Sequence, residues 1–78
     1  MKISLPNVTI VKDEDKYRFI GIIGSLHLSL GAYGSIQEGV SKILEKGKTK
    51  LIFLTQLEQF YRTGMALGWD EEKLLTAF

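Results

Sequence analysis

The sequence predicts an α+β fold: a four-stranded mixed sheet, strand order 3-2-1-4, with helices packed on one face. Three observations predict it. Val8 to Val11 and Tyr17 to Ile23 are β-rich and Leu26 to Leu30 alternates apolar with polar, with two turn signals between them. Two segments open on a Ser/Thr-x-x-Glu capping box and close on glycine, as bounded helices do. Between them lies a short unbroken apolar run, Lys50-Leu51-Ile52-Phe53-Leu54-Thr55, which suits a strand covered on both faces.

The elements follow in order. Val8 to Val11 and Tyr17 to Ile23 are β-rich and flank the polar stretch Asp13-Glu14-Asp15-Lys16, so they read as a hairpin with a four-residue loop. Gly24-Ser25 is a two-residue turn, and Leu26 to Leu30 is a third strand. This register pairs Ile10 with Phe19, Lys12 with Tyr17, Ile23 with Leu26 and Phe19 with Leu30. One face then holds Val8, Ile10, Tyr17, Phe19, Ile23, Leu26, Leu28 and Leu30, a set that a one-residue slip would scatter. The other holds Thr9, Val11, Arg18, Ile20, Ile22, His27 and Ser29.

Gly31 to Gly34 reads as a loop, and Ser35-Ile36-Gln37-Glu38 as the first capping box. The helix it opens carries the stripe Ile36, Val40, Ile43 and Leu44, with Gly39 allowing close backbone approach, and stops at Gly47. The Lys50–Thr55 strand comes next. Thr55-Gln56-Leu57-Glu58 is the second capping box, and Leu57, Phe60, Tyr61, Gly64 and Met65 lie on one side of its helix. Gly68 stops this helix, and Asp70 caps a last short one with Leu74, Leu75 and Phe78 inward. The order is strand-strand-strand-helix-strand-helix-helix. A right-handed crossover would lay the Lys50–Thr55 strand parallel to the first strand.

Composition bounds the function. The chain of 78 residues makes one domain, residues 1–78, with 45% hydrophobic and 24% charged content. A domain this small buries only about 60% of its unfolded surface, so a partner or a second copy would help it. The net charge of +1 argues against a partner held by bulk electrostatics, whether nucleic acid or anionic lipid. There is no cysteine, hence no disulfide, thiolate nucleophile or zinc finger. No apolar run approaches the roughly 20 residues of a bilayer span, and Met1 to Pro6 has no signal-peptide core. A soluble, cytoplasmic protein is the expectation.

No motif with a mechanism attached is present, so neither an enzyme nor a cofactor nor a metal is expected. His27 is alone, with no ligand-spaced companion. Asp13, Glu14 and Asp15 read as a solubilising hairpin tip rather than a cation site, although such a tip also suits a basic partner. Lys42, Lys46, Lys48 and Lys50 are candidate phosphate contacts, but lysines complementing the negative end of a helix dipole and edging a strand are the preferred reading. Tyr33, on a glycine loop, is the aromatic expected to be exposed; Tyr61 reads as core and Trp69 as a cap on the core edge. The informative feature is the second sheet face. If all helices pack on one side, Val11, Ile20 and Ile22 stay outside, beside Arg18 and His27, as a partner surface.

Residues 8–46 resemble the N-terminal domain of HicB-type antitoxins. The similar stretches are Lys12-Asp13-Glu14-Asp15-Lys16-Tyr17 in the first hairpin and Gly34-Ser35-Ile36-Gln37-Glu38-Gly39-Val40 at the capped helix. The resemblance implies a sheet-and-helix toxin-neutralising module. The chain departs from the family at Gly21-Ile22-Ile23-Gly24, where a proline-containing segment would stand, and no DNA-binding helix-turn-helix or ribbon-helix-helix tail follows. The favoured expectation is a non-enzymatic module that binds another protein or a second copy of itself. Small, motif-free inhibitors of defence systems carried by phages and mobile elements, such as anti-CRISPRs, are the analogy of size. A nucleic-acid-binding module built on the four lysines is the alternative.

Overall fold

The computed structural model describes all 78 residues. The chain forms β1 (Lys2–Ser4), β2 (Val8–Asp13), β3 (Lys16–Ile23), β4 (Leu26–Tyr33), α1 (Ile36–Lys46), α2 (Leu51–Ala66) and α3 (Glu71–Ala77). The four strands make one sheet in the order β1-β2-β3-β4, and every neighbouring pair is antiparallel. The α+β class holds, but the expected mixed sheet in order 3-2-1-4 is overturned. No strand follows α1, so no crossover is made.

Two local readings account for the difference. The apolar run Lys50–Thr55 is not a strand; from Leu51 it is the start of α2, with Lys50 as N-cap. Extended beyond Thr55, the run shows helical spacing: Phe53, Leu57, Phe60 and Gly64 are the buried residues of α2. Thr55 and Glu58 therefore lie inside the helix, and the second capping box caps nothing. The fourth strand is instead β1. Lys2, Ile3 and Ser4 pair with Val11, Ile10 and Thr9, and Ile3 and Leu5 are buried between exposed neighbours.

The central hairpins follow the expected phase with local changes. Ile10 pairs with Phe19, Lys12 with Tyr17 and Ile23 with Leu26. The first loop is shorter than four residues: Asp13 pairs with Lys16, leaving Glu14-Asp15 as the turn. Glu14 takes φ 60 and Gly24 φ 58, the positive value that tight hairpins require at a central turn position. Phe19 pairs with Gly31 rather than Leu30, because a bulge between Phe19 and Ile20 leaves Leu30 as the extra residue. Gly31 absorbs the distortion at φ 110. The expected Gly31–Gly34 loop is thus mostly the end of β4.

All three helices pack on the face carrying Ile3, Ile10, Phe19 and Gly21. Phe19 of β3 meets Gly39 of α1, and Gly21 meets Phe53 of α2. On the same side, Tyr17 donates its hydroxyl to Oε2 of Glu71 in α3 at 3.0 Å. Phe19, Phe53, Phe60, Ile3, Ile10, Leu57, Leu74, Val8 and Val40 are fully buried. Each such side chain contributes about 1.5–3 kcal/mol of burial free energy, which is what holds a domain of this size together.

The caps of α1 and α3 form as the sequence implies. Ser35 Oγ accepts from Glu38 N at 3.0 Å, and Gly47 ends α1 at φ 59. The Glu38 carboxylate returns one residue further than expected, accepting from Gly34 N at 3.1 Å. Asp70 Oδ1 accepts from Lys73 N at 3.0 Å and starts α3. Of the three α3 side chains expected inward, only Leu74 is buried; Leu75 is 39% exposed and Phe78 48%. A helix of about two turns lying against the short β1 turns only one apolar side chain fully inward, and Phe78, just past its end, rests on the Phe60 ring with centroids 5.1 Å apart.

Candidate functional site

With the helices on one face, strand alternation sends the other residues to the opposite face. There the register brings Val11 against Arg18, Thr9 against Ile20, Ile20 against Ser29, and Ile22 against His27. So Val11, Arg18, Ile20, Ile22 and His27 form one contiguous surface across β2, β3 and β4. Val11, Ile20 and Ile22 are half-buried, while Arg18, His27 and Ser29 are exposed. Val11, Ile20 and Ile22 do not belong to the core cluster or to the side chains packed on it. Thr9, near the middle of this face, is only 7% exposed. Thr9 is thus screened by its neighbours, with the half-buried Val11, Ile20 and Ile22 around it and the exposed Arg18, His27 and Ser29 beside them.

Lys2 and Ser4 of β1 extend the same face, opposite Val11 and Thr9. Sequence reasoning missed them because it did not assign β1; the alternation Lys2-Ile3-Ser4-Leu5 was the signal. Asp13 belongs to this face as well. Its Oδ2 lies 3.3 Å from Nε of Arg18, with both side chains largely exposed. An exposed pair of this kind contributes little stability, about 0–1 kcal/mol, but it orients the arginine at the border of the patch. Only Glu14 and Asp15 of the acidic tip remain unpaired. Lys12, on the other face, sets its amine 5.4 Å from the centroid of the Tyr17 ring.

Tyr33 does not join this surface and is not the exposed anchor it was expected to be. It is half-buried on the helix side, edge-on to Phe19 at 5.7 Å between ring centroids. Its hydroxyl donates to Leu30 O at 3.0 Å. Tyr61 and Trp69 are half-buried and pack on the core with ring centroids 5.7 Å apart.

The four lysines lie apart from the sheet face. Lys42 and Lys46 belong to α1, Lys48 to the link, and Lys50 caps α2. None is in an ion pair; the two pairs present are Arg18–Asp13 and Arg62–Glu58. Lys46 sits in the last turn of α1, where the helix dipole favours a cation. Lys50 does the opposite. It stands at the positive end of α2, which has no side-chain cap and no acidic residue in its first turn. The dipole therefore accounts for Lys46, while the strand expected to be edged by Lys50 is absent and the dipole does not favour that lysine.

Next to Lys46 and Lys48 runs a shallow groove of about 190 Å³ between α1 and β4, also lined by Ser29, Leu30 and Tyr33. Three or more His, Cys, Asp or Glu side chains grouped as metal ligands do not occur. No helix is long and apolar enough to cross a membrane. No protein-family model, curated protein or solved structure matches this chain.

Proposed function

We propose that this chain is a small, non-enzymatic protein-binding module that docks through the helix-free face of its sheet. One observation carries the reading: Val11, Ile20 and Ile22 sit together on a face that none of the three helices covers. Grouped apolar residues bordered by Arg18 and His27 have the make-up of an interface, an apolar centre with a polar rim. The partner is a larger protein that the module regulates or inhibits, within the cytoplasm. An inhibitor of a defence system, of the kind phages and mobile elements carry, fits the size and the absence of catalytic motifs; an antitoxin of HicB type is the related alternative.

The test uses tagged chain as bait in extract of the native host. The wild type retains a partner, and the Ile20→Ser/Ile22→Ser chain, folded by circular dichroism, releases it. Equal capture by the two chains would remove this face from consideration.

The unpaired lysines favour a second reading, nucleic-acid binding through Lys42, Lys46, Lys48 and Lys50. Retention on a DNA fragment, lost when the four are changed to Glu, would support it.

A further inference from the structure

We propose that the free edge of β4 accepts an extended, acidic segment of the partner protein as a fifth strand. This deepens the protein-binding reading and rests on it, but it uses the sheet's edge rather than its face.

The two edges of the sheet differ. The β1 edge is three residues long, carries Lys2, and is followed closely by Pro6. Short length, lysine and proline are the features that keep an edge from pairing. The β4 edge is eight residues long, Leu26 to Tyr33, and contains neither lysine nor proline. Its one irregularity, the bulge at Leu30, comes after a regular stretch from Leu26 to Ser29.

Backbone bonding fixes which groups that stretch offers. Ile22 donates its N–H to Asn7 O at 2.8 Å and accepts at its own carbonyl from Asn7 Nδ2 at 3.0 Å. Both backbone groups of Ile22 therefore face away from β4. Its partner His27 must lie in a non-hydrogen-bonded pair, with N–H and C=O pointing off the sheet. Ser29, opposite Ile20, has the same phase. No loop, cap or side-chain hydrogen bond of the chain engages these outward groups of His27 and Ser29. An added strand would find two donors and two acceptors at the spacing of a sheet ladder.

Charge selects the occupant. The groove beside this edge is bordered by Lys46 and Lys48, with Lys42 one helical turn back, and none of the three is within ion-pair distance of a carboxylate. A second copy, joined edge to edge about a two-fold axis so that the sheet continues, would set its own α1 lysines beside these. An acidic strand sets carboxylates there instead. Main-chain bonds supply the attachment and the lysines supply the preference, as in other cases of strand addition.

The probe is a short synthetic peptide alternating Glu and Val, with a Lys-and-Val counterpart as control. Amide exchange is followed by NMR. The acidic peptide should slow exchange at His27 and Ser29 by about tenfold or more, whereas the basic peptide should not. Ser29→Pro should abolish the effect, because the N–H it removes points outward and the β3–β4 ladder survives. Lys46→Glu/Lys48→Glu should reverse the preference between peptides. Equal protection by both peptides, no protection, or unchanged binding by Ser29→Pro overturns the proposal. Protection that rises with protein concentration in the absence of peptide assigns the edge to a second copy and also overturns it. If the edge fails while host-partner capture still depends on Ile20 and Ile22, the face reading stands alone.

Discussion

Phe53 of α2 occupies the space above Gly21 of β3: a Cβ at position 21 would stand 2.5 Å from Cε2 of the Phe53 ring. The contact places the second helix on the sheet, and it exists because one partner is the smallest residue and the other is fully buried.

Gly21→Ala is expected to destabilise the fold. Alanine suits a strand better than glycine, a gain of up to about 1 kcal/mol. Overpacking a ring that cannot retreat costs about 1–3 kcal/mol, so the clash wins. Urea denaturation checks this; a midpoint at or above wild type would show that Phe53 has room to shift.

Lys50→Asp is expected to stabilise. Lys50 has the extended backbone of an N-cap, φ −65 and ψ 141, but its side chain caps nothing. Aspartate there accepts a backbone N–H and complements the positive helix end, worth about 1 kcal/mol. For a domain of this size that is a rise of about 4–8 °C in Tm. An unchanged or lower Tm by calorimetry would contradict the assignment of Lys50 as the α2 cap.

The two faces of the sheet should respond unequally to truncation. Phe19→Ala empties a fully buried site and should cost about 3–5 kcal/mol, a large share of the total stability. Ile20→Ser, next to it but on the half-buried face, should cost clearly less. Comparable losses in denaturant would mean that both faces belong to the core.

Gln56→Ala should loosen the joint between helix layer and sheet. Gln56 Oε1 accepts the backbone N–H of Asn7, and the side chain of Asn7 bonds Ile22 O. Removing the acceptor leaves a partly buried N–H unpaired, at a cost of about 1–3 kcal/mol. Faster amide exchange at Asn7 and Ile22 is the local readout, and wild-type rates at both would place the joint elsewhere.

Much of the architecture is legible from neighbouring residues. The β-rich runs between Val8 and Leu30, with the register set by their two turns, specify the two hairpins and separate Ile10 and Phe19 from Ile20 and Ile22. Ser35 and Gly47 mark the ends of α1. What misleads is the run Lys50–Thr55, because a short apolar stretch has the same appearance in a buried strand and on a helix. Only the continuation through Leu57, Phe60 and Gly64 separates them, and Thr55-Gln56-Leu57-Glu58 obscured it by imitating a helix start. With a strand placed there the sheet already has four, and the alternation around Ile3, only three residues of strand, is the weaker signal. The candidate surface depended less on that error, since Val11, Ile20 and Ile22 fall on the face away from Phe19 in either topology. Tyr33 could not be placed from its glycine-rich surroundings, because its position depends on a bulge that no local pattern announces.

The strand order has a kinetic consequence. Each strand pairs only with the one before or after it in the chain, and Tyr17 with Tyr33 is the most widely separated partnership. Little loop entropy has to be lost before any one ladder closes, so the sheet can zip up hairpin by hairpin. Refolding on the millisecond scale or faster is what such a meander should show.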